Sequence, residues 1–359
     1  MKPAPRYFLI LAIVLAPARP REILADGPVH WQSQVSHTDV SLRGLSVVSS
    51  SMAWASGENG TVLRTTNHGQ TWTASRIPQA QNLDLRDLEA WDDQTAVAMT
   101  AGTPGKILRT DDGGKSWVLT YENHDPKIFL DGLTFWSRAQ GIAFGDPMDG
   151  EFVILTTRDG GRTWREHPEG ERPTSQHGEA GFAASGTSIS VGTGNSVWIG
   201  LGGATAAAQA RILHSADGGK RWTALSTPLP ASESRGIFSL VILEGGSFVA
   251  VGGDYAKPNA LDGTMVRSAD RGLTWETDSA NGPRGYRSCV TATVVNETSI
   301  LLTVGTNGSE VSFDQGEHWI PAGDDGFNSA AFAPRTNAGW AVGPQGRVAR
   351  FEVTIPKSP

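Results

Sequence analysis

Seven positions along the chain carry side chains suited to holding an anion or moving a proton: Arg43, Arg86, Asp131, Glu179, Arg235, Arg287 and Asn328. Each stands at the head of a short, mostly apolar run, and six of the seven are charged. Guanidinium groups are rigid donor forks that match carboxylate and phosphate oxygens two at a time. Two carboxylates opposite four arginines would also suit acid and base work at a glycosidic bond. A second set is expected at the rim of the same site: Asp146 in GDPMDG, Asp254 and Tyr255 in GGDYAKPNALDG, and Tyr286 beside Arg287. Residue types alone leave three readings open: charges that satisfy one another in a channel, a site for an anionic group, and catalysis.

A repeat is what makes these residues a column. Six times the chain writes an eight-residue phrase ending in tryptophan, every 44 to 58 residues: TTNHGQTW at 65–72, TDDGGKSW at 110–117, TRDGGRTW at 157–164, SADGGKRW at 215–222, SADRGLTW at 268–275 and SFDQGEHW at 312–319. Every copy keeps a hydroxyl residue, Asp or Asn two on, Gly four on and Trp seven on. Asp and Asn accept hydrogen bonds from the backbone that follows them, Gly supplies a positive φ, and the indole can drop between sheets. Each phrase is therefore a hairpin corner.

Between corners the chain repeats an outer strand, an inner strand, a second strand ending in Gly and a third leading to the next corner. The second and third strands occur seven times, from SMAWASGENGTVLRT to AGWAVGPQGRVARF, one more than the corners. The last copy, 338–351, reaches the C-terminus without a corner or an outer strand, whereas Trp31 in VHWQSQV stands 12 residues before the first inner strand. The N-terminal segment is thus expected to complete the last unit and remove the open edge of the stack. The fold class is all-β: a single seven-bladed β-propeller of four-stranded blades over residues 27–355. The starting ends of the inner strands then form a mouth on the face opposite the corners, which gathers the seven-residue column. Seven of the twelve tryptophans are corner or closure residues, and Trp54, Trp198 and Trp340 fall in second strands, so most are core.

Bulk properties narrow the functional classes. Lys2 and Arg6 precede an apolar run over 7–16, and Ala16-Pro17-Ala18 offers an export-signal cleavage site, with Ala25 a second point; the mature chain is expected in the periplasm or secreted, with no membrane insertion. A net charge of -7 with mixed signs and no basic stripe argues against nucleic acid. The lone Cys289 makes no internal disulfide and is expected in the core. Arg76-Ile77-Pro78 and the GGKS at 113–116 are decoys, the first on an outer strand and the second lacking the glycine a phosphate loop needs. Histidines lack metal-ligand spacing, so neither a metal nor a cofactor is expected.

The corner phrase resembles the Asp-box, or BNR repeat. With SLRGLSVV, LDLRDLEA, FGDPMDGEFVI, GYRS and GWAVGPQGRV, the chain resembles bacterial exported proteins similar to the photosystem II stability/assembly factor. The resemblance implies a ligand face away from the corners and a non-enzymatic scaffold, here monomeric, that binds a polypeptide through an arginine-rich patch. The candidates for that patch are Arg43, Arg86, Arg235 and Arg287. The alternative is a sialidase-like glycan hydrolase, with three arginines on a substrate carboxylate, Asp131 or Glu179 as acid/base, and Tyr286 or Tyr255 as nucleophile.

Overall fold

Each phrase folds as its residue types dictate. The leading hydroxyl accepts the N–H of the glycine four residues on, as from Gly69 to Thr65 at 3.0 Å and from Gly316 to Ser312 at 2.9 Å. The Asp or Asn Oδ1 accepts the N–H four residues beyond it, 3.0 Å from Thr71 to Asn67 and 2.8 Å from Thr274 to Asp270. Hydroxyl and backbone donors hold the Asp112 and Asp270 carboxyls down at about 2, and the Arg221 guanidinium leads the same effect at Asp217.

These corners join strands into seven antiparallel sheets arranged as a ring, in a computed structural model that describes residues 27–204, 208–277 and 281–356. The expected export signal lies outside the described residues, among which there is no α-helix and none long and apolar enough to cross a membrane. Blade one runs Leu42–Ser49, Met52–Gly57, Thr61–Thr65 and Thr73–Arg76 from axis to rim. Blade seven is composite: Ser329–Phe332, Ala338–Val342 and Val348–Val353 come from the C-terminal part of the chain, and Val29–Gln34 adds its outer strand in a register from Val29 opposite Val353 to Gln34 opposite Val348. The ring is closed as the repeat count predicts. Blade five departs from the plan: beyond Arg235–Ile242, Phe248–Asp254 and Met265–Ser268, its outer strand shrinks to one bridge between Arg267 and Glu276.

One corner-type tryptophan enters each of the seven apolar clusters between blades, from Trp31 between blades six and seven round to Trp319 between five and six. The Trp31 indole donates to Ala322 O at 2.7 Å and stacks on Phe327 at 4.9 Å, and Gln34 Oε1 accepts the indoles of both Trp72 and Trp340. Cys289 is fully buried. The corners lie at the far ends of the inner strands: His68, Gly113, Gly160 and Gly218 bond back to the turn that follows the inner strand of their own blade. The inner strands therefore start on the opposite face, which is the mouth.

Candidate functional site

Strand pairing fixes which residues occupy equivalent places at the mouth. Thr65 pairs Ala53, Thr110 pairs Ala96 and Ser312 pairs Leu301, and stepping from these pairs to the inner strands aligns Arg43, Arg86, Asp131, Thr187, Phe238, Ser288 and Asn328. In blades one to three the aligned residue sits at a β-bulge, as does Phe238 in blade five. Four of the seven column residues stand as the sequence places them, and three do not. Arg287 lies one residue before its blade's true position and Arg235 three before. Glu179 lies outside the inner strand of blade four altogether, which begins at Ile189; Glu179–Ala180 instead pairs with Gly202–Gly203 in a short ribbon attached to blade five.

The displaced residues are committed to neighbours. Arg287 is buried and donates to Glu310, Asn307 Oδ1, Tyr286 O and Arg284 O, with Nη2 to Glu310 Oε2 at 3.0 Å. Arg235 grips Asp262 through its carboxylate at 2.6 Å and its carbonyl at 2.9 Å. Glu179 is buried against Arg211, whose Nε donates at 2.7 Å. Asn328 bonds Leu42 O at 2.8 Å and ties blade seven to blade one. Of the rim residues, Asp254 is buried and accepts from Ser234 at 2.7 Å and from the Ala256 N–H, whereas Tyr255 is half exposed.

Arg43 and Arg86 remain. Arg86 bonds Asp84 at 2.7 Å through Nε, and Arg43 forms no ion pair among the described residues. Burial and then the nearby Arg86 charge push the Arg43 guanidinium down from its ordinary value, the mark of a cation short of a counter-charge. Both reach the same object: Arg43 Nη1 donates to Ala184 O at 3.3 Å and Arg86 Nη1 to Ala183 O at 3.2 Å. The segment 181–188, which leads into blade four, lies over the channel at this point. Ser329 donates to Ser185 O, the Ser185 hydroxyl donates to Ser288 O at 2.7 Å, and Thr187 and Ser239 hydroxyls meet at 2.6 Å.

Two acids lie under this segment. Asp131 is completely buried, neither of its oxygens meets an N–H or hydroxyl donor among the described residues, and burial first, then neighbouring Asp146, raises it well above the carboxylate range. Burial lifts Asp146 to about 6 while its Oδ1 accepts the Gly181 N–H at 2.9 Å. The pair can hold one proton between them. A side chain at Gly181 would place its Cβ 2.5 Å from Asp131 Oδ2, and one at Gly186, where φ is +76°, 2.2 Å from buried Asp87 Oδ1. Opposite the arginines stands an aromatic group: Phe182 stacks on Phe238 with ring centroids 4.0 Å apart, Tyr255 meets both rings edge-on, and Tyr286 meets Phe238 at 4.8 Å.

Phe182, Phe238, Glu310 and Arg211 are absent from the sequence-derived site. The one signal pointing to the segment was the interval between the corners at Trp164 and Trp222, 58 residues and the longest of the set.

The family described as photosynthesis system II assembly factor YCF48 matches residues 25–127. No curated protein sequence matches the chain. Among solved structures, one described as YCF48 bound to D1 peptide aligns over 94% of this chain and 100% of its own at 15% identity with a TM-score of 0.61. YCF48 from Cyanidioschyzon merolae aligns over 90% and 98% at 16% identity and a TM-score of 0.57. A propeller described as U3-55K gives a TM-score of 0.62 at 11% identity, covering 90% of this chain and 98% of that one, so likeness at this level speaks to the fold. With the family match over its first blades and the ring built as described, the chain is a seven-bladed β-propeller similar to the photosystem II assembly factor YCF48.

Proposed function

We propose that the protein is an exported, non-enzymatic scaffold that holds a peptide or protein at the mouth, with Arg43 and Arg86 taking a carboxylate of the partner. The observation that carries this reading is Arg43: a part-buried guanidinium with no ion pair among the described residues, beside a second guanidinium, with both already bonded to peptide carbonyls. An incoming carboxylate would supply the missing charge where partial burial strengthens the attraction. The similar propeller described as bound to a D1 peptide supports a polypeptide as the partner class. The hydrolase alternative calls for three arginines on one carboxylate, and Arg235 and Arg287 are held by Asp262 and Glu310.

An array of peptides synthesised with free and with amidated C-termini tests the proposal. Retention that favours free carboxylates, and that Arg43→Ala with Arg86→Ala abolishes, is the expected result. Equal retention of both forms would remove the carboxylate from the account.

A further inference from the structure

Segment 181–188 belongs to blade four yet touches almost the whole ring. Its residues bond or pack on Arg43 of blade one, Arg86 and Asp87 of blade two, Asp131 and Asp146 of blade three, Phe238 and Ser239 of blade five, Ser288 of blade six and Ser329 of blade seven. A connection between neighbouring blades needs none of the distant contacts. They have the form of peptide recognition: the successive carbonyls of Ala183, Ala184 and Ser185 each accept from a side chain of the ring, and the segment's single aromatic is seated on an aromatic wall. Among the described residues no backbone hydrogen bond ties 181–186 to any blade, and the one such bond within them runs from Ala184 N–H to Phe182 O; the chain rejoins the blades at Thr187 O, which accepts the Leu240 N–H, and at Ser188 O, which accepts the Gly200 N–H. Withdrawal of this stretch would leave every sheet ladder intact.

We propose that residues 181–186 are a displaceable plug, occupying in cis the place that an extended peptide of small residues around one aromatic occupies in trans. This rests on the mouth being a peptide site. While the plug is seated, the arginine pair is partly spent on Ala183 and Ala184 and the aromatic slot is filled by Phe182. A tethered segment acts at an effective concentration on the order of millimolar. A free peptide therefore meets a site whose open fraction is small, and its apparent affinity falls by that fraction. The buried acids set the plug's composition, because Gly181 lies over Asp131 and Gly186 over Asp87, where any larger residue collides.

The probe is the plug with the two residues that follow it: the octapeptide GFAASGTS, acetylated, amidated and fluorescently labelled, titrated into the full-length protein and into Phe182→Ala/Ser185→Ala. That double substitution removes the stack on Phe238 and the hydroxyl bond to Ser288. The expected result is binding at least about tenfold tighter to the double variant than to wild type, lost again when Arg43→Ala and Arg86→Ala are added. The milder Ser185→Ala should show a smaller gain in the same direction. A folded double variant that gains nothing, or a gain that survives loss of both arginines, overturns the proposal. Failure of both plug variants to fold also overturns it, since a segment that the ring requires cannot be displaced. Because the probe has no free carboxylate, a negative peptide array would count against the carboxylate reading and not against the plug.

Discussion

At the scale of the residue, four arginines that look alike in the sequence divide into two kinds. Arg43 and Arg86 reach the carbonyls of the segment seated in the mouth, whereas Arg287 is one half of a buried pair with Glu310 and Arg235 is clamped by Asp262. The sequence shows the type of side chain and its approximate place; the partner that neutralises it lies on another strand and leaves no local trace. Glu310 stands 23 residues beyond Arg287. Breaking a buried pair leaves one charge stranded, so Arg287→Ala is expected to lower unfolding free energy by about 3–5 kcal/mol in urea titration, and Arg287→Met with Glu310→Leu to recover most of that. Arg43→Ala, which strands no charged partner and removes one bond of 3.3 Å to Ala184 O, should change stability by about 1 kcal/mol or less.

At the scale of the element, the corner phrases were fully legible because each is local: hydroxyl, carboxylate and glycine bond within eight residues. The closure by Val29–Gln34 was legible too, since counting seven third strands against six corners leaves one outer strand to be supplied. Trp31→Ala opens a void beside Phe327 and Phe351 and removes the bond to Ala322 O; a cost of about 3 kcal/mol is expected from thermal or chemical unfolding. A wild-type transition in that variant would mean that the ring does not depend on this strand. Counting from Trp164 puts the inner strand of blade four too early, because Glu179 is a polar residue at the counted offset, while the true position, Thr187, is preceded by the plug. Spacing cannot tell an inserted segment from a longer loop; only the pairing of Ile189 with Ile199 does.

At the scale of the whole molecule, the acids of the corners and the buried acids of the blades are shifted in opposite directions. Asp112, Asp217 and Asp270 at the corners are held near 2, so the stability they contribute is present above about pH 4 and is lost as pH falls toward 2. Among the buried acids Asp146 is raised to about 6 and Glu89 to about 7, both chiefly by burial, and Asp87 and Asp131 are raised as well; folded pKa values above the unfolded ones mean stability that is full below about pH 4 and lost as pH rises through 6 and 7. Calorimetric Tm is therefore expected to peak in mild acid, and Asp131→Asn to raise Tm at pH 7.5 by a few degrees, roughly 1 kcal/mol or more, with little change at pH 4. An equal effect at both pH values would show that the Asp131 proton is not the cause. The central claim is that the mouth binds through Arg43 and Arg86 and not through the ring of charge as a whole. Titration calorimetry of the best free-carboxylate peptide into wild type, Arg43→Ala/Arg86→Ala and Arg235→Ala tests it most directly. Arg43→Ala/Arg86→Ala is expected to lose at least about tenfold in affinity, near 1.4 kcal/mol or more, while Arg235→Ala stays within about twofold of wild type. Equal losses in the two variants, or undiminished binding without Arg43 and Arg86, would contradict it.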